Sequence, residues 1–171
     1  MVIRHDDFDF RMDTADYVAI HDKFIEADLI ETAVLQFTQD GNLKNFRPDL
    51  VSYMNNAPNW DLQIHGWEHT KYDEMTVDQC VKDLAACICL TQKLFNTTPT
   101  TWYPPWNGMS DNMKKAAEML DLKLDNESYD IAKFIREVEA GTYEGHSVYF
   151  HGWNQNEMAR FDDMIRCLKQ L

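Results

Sequence analysis

The chain has 171 residues, 44% apolar and 26% charged, which suits one globular domain over residues 1–171 and excludes a disordered polymer. Its net charge of −13 argues against nucleic acid, whose phosphates need Lys and Arg, and against an anionic membrane surface; a neutral or cationic substrate fits better. No apolar run is long enough to cross a bilayer, and the initial MVIRHDDFDF has no apolar signal segment, so the expected location is cytoplasmic.

Apolar, β-rich runs alternate with amphipathic helical runs from end to end. In chain order the pattern predicts a strand over Val2–Phe8, a helix over Thr14–Ala27, a strand over Glu31–Thr38 and a helix over Pro48–Asn56. Next come a strand over Trp60–Gly66, a helix over Val77–Phe95, a strand over Thr100–Trp106 and a helix over Asp111–Leu120. The last four are a strand over Leu122–Asp125, a helix over Ile131–Ala140, a strand over His146–Gly152 and a helix over Glu157–Gln170. Thr76 and Ser110 are placed to cap the helices that follow them, Pro48 suits a first helical turn, and Gly141 supplies a left-handed stop. Cys80, Cys87, Cys89 and Cys167 form no C-x-x-C pair and read as small buried apolar residues in a reduced compartment.

Strands alternating with helices predict parallel pairing through right-handed crossovers. The expected fold is α/β, a distorted, incomplete (β/α) barrel with mostly parallel strands; an open doubly wound sheet is the second choice. Either fold puts the working site at the C-terminal ends of the strands. The unusual polar residues fall there: His5-Asp6-Asp7-Phe8-Asp9, His65-Gly66-Trp67-Glu68-His69, Tyr103-Pro104-Pro105-Trp106-Asn107-Gly108 and His151-Gly152-Trp153-Asn154.

His65 and His69, joined by a turn at Gly66, can bring two imidazoles to one ion. With one carboxylate they leave coordination positions open, as catalysis requires. Asp6 and Asp7 cannot point the same way along a regular strand, which suits a division of labour between metal and water. Two acids ending an apolar strand also favour a nearby cation. His151, on the same rim, is a general-acid candidate. His5, His21 and His146 read as structural or surface residues. The aromatics Trp67, Tyr103, Trp106 and Trp153 have two readings, core filler and a platform for a sugar ring.

In order and spacing, these segments resemble the motifs of the polysaccharide deacetylase (NodB-homology) family of carbohydrate esterases. His5-Asp6-Asp7 looks like its first motif, His65–His69 its second, Tyr103–Gly108 its third and Val148–His151 its fifth. The resemblance implies a hydrolase that removes N-acetyl groups from an amino sugar or glycan. It implies Asp6 as general base, a water activated by a divalent ion as nucleophile, Asp7, His65 and His69 as the ion's ligands, and His151 as the acid. The ion would be Zn2+, with Co2+, Ni2+ or Fe2+ suited to the same donors. Substrate contacts would come from Tyr103, Pro105, Trp106, Asn107 and Trp153, with an oxyanion-binding N–H in the Tyr103–Trp106 loop.

Three positions depart from the family pattern. Gly66 stands where Ser or Thr is usual. Tyr103 stands where an Arg usually orients the catalytic Asp, leaving Arg4 or Arg11 as substitutes. The fourth motif, an Asp and Trp supporting the acid, has only Asp125 as a weak match. Two other readings compete: a deacetylase-like scaffold that binds a glycan without cleaving it, and an H-x-x-E-H zinc peptidase using Glu68, which needs a helix at His65–His69.

Overall fold

The computed structural model describes residues 1–37 and 47–171; the predicted strand end at Thr38 lies outside them. The strands are β1 (Ile3–Phe8), β2 (Glu31–Gln36), β3 (Trp60–Gly66), β4 (Thr101–Trp102), β5 (Lys123–Leu124), β6 (Ser128–Asp130) and β7 (Ser147–Phe150). The helices are α1 (Thr14–Glu26), α2 (Pro48–Asn56), α3 (Val77–Phe95), α4 (Asp111–Met119), α5 (Ile131–Ala140), α6 (Gln155–Met158) and α7 (Phe161–Leu168).

Every strand pairing is parallel, in the order β5-β4-β3-β2-β1-β7-β6. Read as a circle this is chain order, interrupted only between β5 and β6. The sheet is therefore a curled half-barrel, a distorted and incomplete (β/α) barrel as the pattern predicts. β1 and β2 are buried along their whole length, as central parallel strands must be. One apolar cluster, around Phe8, Leu35, Ile64 and Trp102, packs the sheet against α2, α3 and α4. A second, around Phe24, Phe134, Phe150 and Phe161, packs β7 against α1, α5 and α7.

The predicted caps form. Thr76 and Gln79 make a reciprocal capping box, Ser110 accepts the Met113 N–H, and Gly141 ends α5 in the left-handed region. Three elements differ from expectation. The strand expected over Thr100–Trp106 shrinks to two residues, because Pro104 and Pro105 remove two ladder donors and the chain turns at Pro105–Asn107. The three-residue β6 is too short for a period to reveal. The last helix is divided around Ala159 and Arg160 and begins earlier, at Gln155, where Asn154 caps it. Among the described residues, no helix is long and apolar enough to cross a membrane.

Candidate active site

Asp6 and Asp7 share a cavity although they are neighbours on one strand. The β1–β2 register shifts between His5 and Phe8, and Asp7 has a left-handed φ of 52°, which breaks the alternation of faces. Such a conformation costs a non-glycine residue of order 1 kcal/mol and persists only where its surroundings enforce it.

The Asp7 carboxylate meets two imidazoles. Its Oδ1 lies 3.2 Å from His65 Nε2 and 3.2 Å from His69 Nε2. The three ligand-capable atoms fall within 4.8 Å of one another, so these residues could hold a metal ion. The protons favour that. His65 Nδ1 is 2.6 Å from the Tyr103 carbonyl oxygen, which can only accept, so Nδ1 carries the hydrogen. A neutral His65 then aims the Nε2 lone pair at a carboxylate oxygen that is buried without a hydrogen-bond partner. A cation at their meeting point relieves the conflict. Where the imidazoles themselves carry the positive charge, their hydrogen bonds and attraction outweigh the burial that opposes the charged form of Asp7 and hold its carboxyl well below the usual carboxylate range.

Gly66 follows from the same local packing. A Cβ there would sit 2.5 Å from the Tyr72 hydroxyl, which accepts the Trp67 N–H at 2.8 Å. The phenol occupies the space that a Ser or Thr side chain needs.

Asp6 is clamped from behind. Buried Arg4 donates through Nε to Oδ1 at 3.0 Å and through Nη2 to Oδ2 at 2.5 Å. This two-pronged geometry fixes the carboxylate plane. The guanidinium rests over the Tyr103 ring, 4.4 Å from its centroid. Arg4 thus supplies the cation missing from the third motif, and Tyr103 supplies the face it rests on. Arg11 instead pairs with Asp9 and lies over Trp153, 5.3 Å from its centroid.

His151 stands across the cavity, with Nε2 3.9 Å from Asp7 Oδ2. Its Nδ1 lies 3.1 Å from Glu157 Oε2, and its backbone N–H donates to the same oxygen at 2.6 Å. Burial pushes the His151 pKa down, but Glu157, with smaller contributions from Asp7 and Asp6, reverses this and leaves it raised. Glu157 was not singled out in the sequence because it belongs to α6, six residues beyond the motif. Asp125 pairs with Lys123 at 2.7 Å.

The cavity measures about 320 Å3 and is lined by Asp6, Asp7, His65, His69, Trp106, Asn107, Trp153 and Glu157, together with Pro104, Tyr149, His151 and Asn154. Trp106 and Trp153 are exposed on its rim, beside His69 and His151 respectively. Tyr103 and Pro105 are buried and are not among the lining residues. In the Tyr103–Trp106 loop, the Tyr103 N–H bonds to Ile64 and the two prolines have none, leaving Trp106 N–H as the loop's candidate donor. β3 runs through His65 to Gly66 and no helix spans His65–His69, so the alignment an H-x-x-E-H peptidase needs is absent.

A family model described as polysaccharide deacetylase matches residues 23–124, more than half of the chain. The chain belongs to the polysaccharide deacetylase family. The matched span holds the His65 and Tyr103 segments, and the fold brings Asp6, Asp7 and His151 from outside it to the same cavity. No curated protein matches in sequence. Among solved structures, the chain resembles a CE4 family pseudoenzyme from Bacillus anthracis at TM-score 0.78 and 16% identity, covering 99% of this chain and 60% of that one. A peptidoglycan deacetylase from Bacillus subtilis aligns at TM-score 0.74 and 16% identity, over 99% of this chain and 82% of its own. A family 4 acetyl xylan esterase from Clostridium thermocellum, in complex with a cobalt ion, aligns at TM-score 0.73 and 20% identity, over 99% and 83%. These likenesses are of fold. The family of polysaccharide deacetylases acts on N-acetylated glycans and consists mainly of metal-dependent deacetylases, while its folds include both active and inactive members.

Proposed function

We propose that this polysaccharide deacetylase hydrolyses an N-acetyl group on an amino sugar or glycan. The observation that carries the reading is one cavity with a carboxylate fixed by Arg4 on one side, an imidazole backed by Glu157 on the other, and the Asp7–His65–His69 cluster between them. Asp7, His65 and His69 would hold the ion. Two imidazoles and a carboxylate suit Zn2+, with Co2+, Ni2+ or Fe2+ as substitutes, and the cobalt in the Clostridium esterase accords with that donor set. When bound, such an ion polarises the acetyl carbonyl and lowers the pKa of a water.

The chain's own residues would do the rest. Asp6, held by Arg4, accepts the proton of the attacking water. The Trp106 N–H donates to the oxygen that becomes negative. His151, its pKa raised by Glu157, gives its proton to the departing nitrogen. Trp106 and Trp153 offer flat faces to the sugar on either side, Asn107 a polar contact beside Asp6, and Tyr103 and Pro105 the packing beneath. The products are acetate and a free amine.

The test is acetate release from N-acetylglucosamine oligomers, with metal content measured in parallel. Asp6→Asn should lower kcat by roughly 10²–10⁴ while metal still binds. Asp7→Ala should lose the metal. Asp6→Asn retaining most of the wild-type rate would overturn the assignment of the base. A second reading, a glycan binder that does not cleave, is favoured by the likeness to the Bacillus anthracis pseudoenzyme. Metal binding with no acetate from a broad panel of sugars would decide for it.

A further inference from the structure

Behind the cavity, His5, Glu31 and His21 form a row of polar side chains, each no more than 1% exposed. None of them lines the cavity. Burying three ionisable groups is costly unless each finds partners, and the chemistry above uses none of them.

Their hydrogen bonds fix their protons. The Gly152 N–H donates to His5 Nε2 at 3.1 Å, so that nitrogen is an acceptor and the hydrogen of a neutral ring is on Nδ1. Nδ1 in turn donates to Glu31 Oε1 at 2.6 Å. His21 Nε2 lies 2.8 Å from the Pro58 carbonyl oxygen and must donate to it. His21 Nδ1 and Glu31 Oε2, 2.8 Å apart, share the remaining proton. The row is hydrogen-bonded from end to end and anchored by the His21 ring lying flat on Trp60 at 3.6 Å. Its other end is the amide of Gly152, the residue after His151.

We propose that His5, backed by Glu31 and His21, is a positioning residue for His151: the row grips the Gly152 amide and sets where the acid stands relative to Asp6. The inference rests on His151 being the acid. Consecutive amides are tied to opposite sides, His151 N–H to Glu157 and Gly152 N–H to His5. The loop is pressed onto the imidazole, since a Cβ on Gly152 would lie 2.5 Å from His5 Nε2. His5 also pairs with Phe150 in the β1–β7 ladder and stacks on its ring at 4.5 Å. The strand carrying the base and the strand carrying the acid are thereby joined at the residue beside each.

His5→Phe keeps a ring of similar size and removes the acceptor. Gly152→Ala attacks the same contact from the loop, its Cβ meeting His5 Nε2 at 2.5 Å and Ile20 at 3.0 Å. Each is assayed on an N-acetylglucosamine oligomer, whose amine must be protonated as it leaves, and on 4-nitrophenyl acetate, whose leaving group needs no proton. Both variants should lose roughly 10- to 100-fold in amide kcat, part of the roughly 10²–10⁴ that a general acid supplies, with KM, metal content and ester turnover near wild type. Glu31→Gln, which can still accept from His5, should restore most of the amide rate that Glu31→Leu loses. Gly152 amide exchange should be slow in the wild type and fast in His5→Phe, a readout that needs no turnover. Parallel loss on both substrates, or no loss on either, overturns the proposal. His151→Ala separates the two claims: an equal loss on amide and ester there refutes the acid assignment itself, whatever His5→Phe does.

Discussion

Two side chains make the difference between a damaged site and a rebuilt one. Arg4 lies on the same strand as the carboxylate it holds, two residues away, and its double hydrogen bond fixes the orientation of Asp6. Glu157 reaches back from α6 to His151 Nδ1 with both carboxylate oxygens, the support that the proposed function needs in place of the unmatched fourth motif. The sign of its effect is testable. Burial disfavours the imidazolium, and the Glu157 carboxylate overcomes that, so the His151 pKa is raised. If the protonated ring is the active form, activity falls as pH rises through that pKa. Glu157→Gln keeps a hydrogen-bond acceptor and removes the charge, which lowers the pKa. The alkaline limb of the kcat/KM profile should therefore move to lower pH, while the acid limb stays in place. An unmoved alkaline limb would mean that Glu157 does not set the charge of His151.

At the scale of elements, the strand–turn junctions carry the polar side chains of the cavity, and one of them shows how local packing overrides a family preference. Tyr72 fills the space above Gly66 and bonds the Trp67 amide, so the β3 turn is closed by a phenol from the next segment. Gly66→Ser, the residue type usual at this place in the family, should destabilise the protein by about 1–3 kcal/mol through overpacking and weaken metal binding by displacing His65. Urea denaturation and a zinc titration measure the two effects. Helices were legible in the sequence, since α3, α4 and α5 have periods and caps that agree with each other. So was the grouping of Asp7, His65 and His69, because rare residue types ended apolar strands. What was not legible depends on contacts between distant elements. The bulge at Asp7, the two left-handed residues Trp106 and Asn107, the reach of Glu157 and the three-residue β6 leave no periodic trace. Arg4 was visible only as one of two candidates, and the burial that separates it from Arg11 belongs to the folded chain.

At the scale of the whole molecule, the half-barrel leaves one seam, between β5 and β6, and the site lies where several strands end. Asp7 comes from β1 and His65 from β3, with β2 between them, so a cation bound by both spans the middle of the sheet. It also meets a chain of net charge −13, on which a divalent cation reduces self-repulsion. A ligand that binds only the folded state stabilises by RT ln(1 + [L]/Kd), about 2.7 kcal/mol at a hundredfold excess over Kd. For a domain of this size that corresponds to a rise of roughly 5–10 °C in Tm. Adding zinc to chelator-treated protein should produce such a rise as one cooperative transition, because β1 joins the first apolar cluster to the second through its pairing with β7. Asp7→Ala should show no rise, and Asp6→Asn should show all of it, since Asp6 is held by Arg4 and stands outside the ligand cluster. If zinc leaves the wild-type Tm unchanged at concentrations that saturate other two-histidine, one-carboxylate sites, the convergence of Asp7, His65 and His69 is an ordinary buried ion pair and the metal reading fails.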